Sequence, residues 1–165
     1  KFNADTRDGS DTDEMAEIII ANWNEVVQKD DIVFILGDVS FANPVITWEW
    51  IYRLNGNLKW ITGNHDSHLL RSKEIKCLFQ SVLPYQEVYV DGIRVCMCHY
   101  PISEWNQSHR GSYMLHGHCH GRFQGEGRIM DVGIDNRKDK LMRPFSWQEI
   151  HNDLSQRPIV ARYGD

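Results

Sequence analysis

Between Ser10 and about Gln28, the apolar residues Met15, Ile18, Ile19, Trp23, Val26 and Val27 recur at helical spacing. Ser10 is the expected N-cap, and Asp11, Asp13 and Glu14 suit the positive end of the helix dipole. The stripe itself predicts core packing. The run "IVFIL" (32–36) predicts a buried strand that ends at Gly37-Asp38. Asn43-Pro44 reads as cap and first helical residue and Gly56 as a stop, which predicts a helix over 44–54. "LKWIT" (58–62) reads as a strand running into Gly63-Asn64-His65-Asp66, and 67–76 as a helix. Strands are expected at 86–90 and 93–98, joined by a two-residue turn at Asp91-Gly92. A further strand ends at His116, another covers 128–132, a helix capped by Ser146 runs to about Leu154, and 158–163 reads as a closing strand.

This order predicts parallel βαβ units first and an antiparallel portion later, in a mixed α/β sheet protein. With 165 residues and neither repeat nor linker, the expectation is one domain over 1–165. A net charge of −5 argues against a surface built for long nucleic acid, though not against a phosphate-bearing substrate in a metal pocket. No apolar run approaches the ~18 residues of a membrane span, and no signal peptide is visible. Cys77, Cys96, Cys98 and Cys119 are too few for a disulfide framework and read as reduced thiols. The expectation is therefore a cytoplasmic location without membrane partners.

Ligand sites in such sheets lie beyond the carboxyl ends of the strands. Strand 32–36 delivers Asp38 there, 58–62 delivers Asn64, His65 and Asp66, and 93–98 delivers His99. The strand ending at His116 delivers His118 and His120. Alone, a strand-end Asp is a turn residue and a His is a hydrogen-bonding group. Gly37, Gly63 and Gly117 each precede a polar candidate by one residue, as in a tightly built site.

In order, "LGDVS" (36–40), "TGNHD" (62–66), "CHYP" (98–101) and "HGHCH" (116–120) resemble sequence blocks of the calcineurin-like metallophosphoesterases. "LNGNLKWITGNHD" and "DVGIDN…PFSWQEI" resemble the small bacterial and phage members. The resemblance spans about 15–150 and implies a mixed-sheet αββα sandwich of the metallophosphoesterase type. It implies two divalent metal ions, with Mn, Fe, Zn or Ni suited to imidazole and oxygen donors. Asp38 would bridge them, Asn64, His99 and His118 would complete the second site, and His120 would bind the first. A metal-bridging hydroxide would attack the phosphorus of a small phosphorylated substrate, mono- or diester. His65 would protonate the leaving oxygen, and Asp66 would orient His65.

The family's first block, Asp-x-His, is absent: the chain's single such triplet is Asp66-Ser67-His68, already part of another block. The first metal would then keep only Asp38 and His120. Because the chain opens on Lys1, a further N-terminal strand is expected outside the numbered residues. The alternative function is a non-catalytic binding or scaffold protein with a degenerate first site.

Arg110 is a candidate phosphate-steering residue, competing with an ordinary exposed loop arginine. His68 is expected to start a helix, His116 to support the ligands, and His151 to lie on the surface. The cysteines with nearby histidines could form a zinc site, but the tight Cys96-x-Cys98 spacing favours small buried hydrophobes for all four.

Overall fold

The computed structural model describes residues 9–123 and 125–161. Helix α1 (Gly9–Val26) has Ser10 within it and not at its cap. Its buried face is Ala16, Ile19, Ile20, Trp23 and the following Val27. The Trp23 indole donates to Asn55 O at 2.9 Å, tying α1 to the turn after α2. Helix α2 (Pro44–Tyr52) is capped by Asn43, whose Oδ1 accepts from Val45 N and Ile46 N, and it stops short of the expected 54.

Strands β1 (Ile32–Leu36), β2 (Asn57–Ile61) and β3 (Ser81–Leu83) form a three-stranded parallel sheet with β2 central. The helix expected over 67–76 is two pieces, a 3₁₀ turn (Asp66–His68) and a short helix α3 (Lys73–Lys76). Ser72 separates them, because its hydroxyl caps α3 by accepting from Ile75 N at 3.2 Å. β4 (Tyr85–Val90), β5 (Ile93–Cys98), β6 (Tyr113–His116) and β7 (Ile129–Asp131) form the second sheet in that order. The β4–β5 hairpin turns at Asp91 (φ 51) and Gly92 (φ 77), two left-handed residues as a tight hairpin requires. Only this pair is antiparallel, because β5–β6 and β6–β7 run parallel through long crossovers. The expected antiparallel portion is thus a single hairpin. Residues 158–161 form no strand, and 162–163 lie outside the described residues. Helix α4 (Trp147–Leu154) starts with a reciprocal capping box between Ser146 and Glu149.

Alternation along the strands divides the core. Val33, Leu58 and Trp60 pack with Trp23, Ile51, Leu69 and Phe79 beneath the first helices. Phe34 and Leu36 join Ile61, Val95, Met97, Tyr113 and Leu115 between the sheets, together with Ile150 and Leu154 of α4. The far face of the second sheet, through Cys96 and Met114, is covered by the loop residue Trp105. The molecule is therefore a mixed α/β fold of two sheets with helices.

β1 departs from its expected burial. Of its five apolar residues only Val33 is buried, and Ile32 is 60% exposed. Among the described residues β1 pairs with β2 alone, and a cavity of about 890 Å³ runs beside it. Ile19, Trp23, Val95 and Ile150 wall that cavity, and Asp38, His99 and His118 also line it. Among the described residues no helix is long and apolar enough to cross a membrane.

Candidate metal centre

The loops after β1 and β2 meet at two glycines. Gly37 has φ +80, and a Cβ there would stand 2.4 Å from His99 Nδ1 and 2.7 Å from Gly63 Cα. A Cβ on Gly63 would stand 2.6 Å from both Asp38 N and Asp38 Oδ1. Any side chain at either position would push the loops apart.

Asp66 holds the junction. Its carboxylate, wholly buried, accepts from Gly63 N (2.6 Å), Val39 N (2.9 Å), Trp60 Nε1 (3.0 Å) and Asp38 N (3.1 Å). The expectation that Asp66 orients His65 is corrected accordingly, since both oxygens are engaged by the backbone around Asp38 and by Trp60. Asp38 Oδ1 accepts from His65 N at 3.0 Å, so the two loops are linked in both directions.

His99, 1% exposed, follows β5. Its Nδ1 lies 2.8 Å from Leu36 O, which can only accept, so Nδ1 carries the proton. A neutral ring then has only a lone pair at Nε2. That lone pair faces Asn64 Oδ1 at 2.9 Å and Asp38 Oδ2 at 3.6 Å, both acceptors. A doubly protonated ring, an Asn64 amide turned to donate, or a cation would balance this group. Only the cation also employs His118, whose ring centroid is 5.0 Å from that of His99. One ligand atom each from Asp38, His99 and His118 lie within 4.8 Å of one another. Burial first, then the neighbouring His99, pushes the His118 pKa down against the opposing pull of Asp38, which favours the neutral imidazole a metal needs. The donor set, two imidazoles, a carboxylate and an amide oxygen, fits a divalent transition metal.

Asp38 (φ 52), His118 (φ 66) and His120 (φ 49) all have left-handed backbones. Non-glycine residues adopt that region at a cost, and such strain gathers at functional sites. His120 lies outside the triad, with its Nδ1 hydrogen-bonded to Asp135 Oδ2. His116, buried at the end of β6, bonds Gly117 O through Nδ1 at 2.8 Å and packs edge-on against Phe123.

Other expected positions differ. Arg110 sits on a 3₁₀ turn (Ser108–Arg110) ahead of β6, whereas His118 follows the far end of that strand. Four residues of strand at roughly 3.3 Å each separate the two, so Arg110 is not brought to the centre. His151 is half-buried, bonded to Tyr113 OH at 3.0 Å and packed on Trp147, and is not a surface residue. Cys77 is exposed, Cys98 and Cys119 are intermediate, and Cys96 alone is a fully buried hydrophobe.

The roles of three residues were not apparent from sequence. His68 bonds His65 O (3.0 Å) through Nδ1 and Ala42 O (3.1 Å) through Nε2, strapping the His65 loop to the Phe41 loop. Tyr100 places its ring 4.8 Å from that of His118. Asp135, in "DVGIDN", partners His120; its signal was only its place in that segment.

No family model matches the chain. The Gene 66 protein of Mycobacterium phage D29 is 29% identical over 163 residues, covering 81% of each chain. The uncharacterized protein MJ1445 of Methanocaldococcus jannaschii is 30% identical over 119 residues, 71% of this chain and 60% of that protein. The crystal structure of AQ665, a protein of unknown function from Aquifex aeolicus, has a TM-score of 0.63 at 20% identity, covering 91% of this chain and 88% of that one. That likeness is one of fold.

Proposed function

We propose that the chain is a metal-dependent phosphoester hydrolase of the calcineurin-like metallophosphoesterase type, with a mixed-sheet sandwich of that family. The observation that carries this reading is the convergence of Asp38, His99 and His118 from two sheets, with the His99 Nε2 lone pair and Asn64 Oδ1 facing the same space. Divalent ions bound there would offset the charge of a phosphate ester and lower the pKa of water to the neutral range. Asp38, Asn64, His99 and His118 would hold one ion, and Asp38 with His120 would contribute to a second. His65 is exposed beside Asp38, free of the ligand group, and suits the role of proton donor to the leaving oxygen. Asp66 maintains the Asp38 turn.

The proposed substrate is a small phosphorylated molecule, and the proposed setting is the cytoplasm.

The test is hydrolysis of aryl phosphate mono- and diesters with added Mn²⁺. Turnover by the native chain, a loss of about 100-fold or more in His65→Ala and no turnover in Asp38→Asn are expected. Native activity no higher than His65→Ala would sink the catalytic reading. One observation favours the scaffold alternative: His120 stands outside the ligand triad among the described residues. That reading expects metal binding with no turnover.

A further inference from the structure

We infer that Asp135 is the positioning residue for His120, a role that rests on the metal-centre reading above. His120 has a left-handed backbone in a loop without regular structure. Such a position defines the direction of an imidazole poorly unless another group holds it. His99 has that holder in Leu36 O, which takes the Nδ1 proton and leaves Nε2 for the ligand space. His120 has the equivalent in Asp135 Oδ2, which faces its Nδ1. A carboxylate accepts the Nδ1–H, sets the tautomer, turns Nε2 outward and raises the basicity of the ring towards a cation.

The turn that carries Asp135 is itself braced. Asp135 lies on a 3₁₀ turn (Ile134–Asn136) closed by Asn136 N on Gly133 O at 2.9 Å. Asp131, at the end of β7, accepts from Gly133 N through Oδ1 and from Gly121 N through Oδ2, each at 3.0 Å. The β7 loop thus grips both His120 and the residue after it. A Cβ on Gly121 would stand 2.6 Å from Asn136 Oδ1, so the two loops are in direct contact. The segment "DVGIDN" therefore acts as a brace between β7 and the His120 loop.

The test uses the full chain in two measurements. The first is ¹⁵N–¹H NMR of the imidazole rings without metal. The native His120 is expected as the Nδ1–H tautomer, and Asp135→Ala is expected to shift it towards Nε2–H. An identical tautomer in both overturns the inference. The second is Co²⁺ titration followed by visible absorption in the native chain, Asp135→Ala, Asp135→Asn, His120→Ala and the double variant His120→Ala/Asp135→Ala. Asp135→Ala is expected to weaken the His120-dependent step by about 10–100-fold. Asp135→Asn, which can still accept from Nδ1–H, should retain part of it, and the double variant should be no weaker than His120→Ala. Additive losses would make Asp135 an independent ligand and overturn the positioning role. Native binding with Asp135→Ala unchanged, or with His120→Ala unchanged, overturns that role alone. No cobalt bound by the native chain overturns the metal centre together with it.

Discussion

At the scale of single residues, the centre separates groups that bind from groups that build. Asp66 is a builder: four donors converge on it, and removing the carboxylate orphans them in a buried setting. Asp66→Ala is expected to cost about 3 kcal/mol or more in urea denaturation, while His65→Ala, at an exposed position, should stay within about 0.5 kcal/mol. Equal losses in the two would refute the division. His118 gives the opposite sign. Its left-handed backbone suits glycine, so His118→Gly should raise metal-free stability by about 1 kcal/mol while removing a candidate ligand. A destabilised variant would show that its contacts with His99 and Tyr100 outweigh the backbone strain. The candidate ligands were legible because they sit just past strand ends, and Asp38, Asn64 and His118 each directly follow a glycine. The bonds from Asp66 to the Asp38 turn, from His68 to Ala42 and from His120 to Asp135 were not, because contacts between residues far apart in sequence leave no local pattern.

At the scale of elements, the local signals were the readable ones. Asn43-Pro44, Ser146 with Glu149, and Asp91-Gly92 all specify short-range geometry, and each marks the boundary it predicts. The parallel sense of β6 and β7 was not readable, because pairing direction is decided by long crossovers. The three residues of β3 were too few to carry a period. The start of α4 also carries a pH dependence. Arg137, through its hydrogen bonds, holds the carboxyls of Glu149 and Asp139 down at about 2, from ordinary values of 4.5 and 3.8. Because the folded values are depressed, their contribution is fully present above the ordinary values and is lost as pH falls towards 2. Denaturation midpoints between pH 5 and 2 should therefore drop less steeply in Arg137→Met than in the native chain. An unchanged slope would refute that source. Ser146→Ala should cost about 1 kcal/mol through loss of the cap.

At the scale of the whole molecule, the proposed centre joins two sheets. Asp38 comes from the end of β1, while His99 and His118 follow β5 and β6. An ion bound to all three would be lost on unfolding, so it would stabilise the fold by mass action. At 100 times its dissociation constant, Mn²⁺ should add about 2.7 kcal/mol, seen as a higher melting temperature. Asp38→Asn should abolish the shift, and a shift that survives this substitution would place the ion elsewhere. The exposure of β1 is the lesson at this scale. "IVFIL" reads as buried because its residues are apolar, yet burial depends on what packs alongside, and one edge of β1 faces a cavity.

The left-handed backbones of Asp38, His118 and His120 also have a historical meaning. At those positions a relaxed backbone and the proposed metal chemistry favour different residues. A chain without the proposed chemistry would gain stability from glycine or asparagine there, so these side chains would be expected to be lost early.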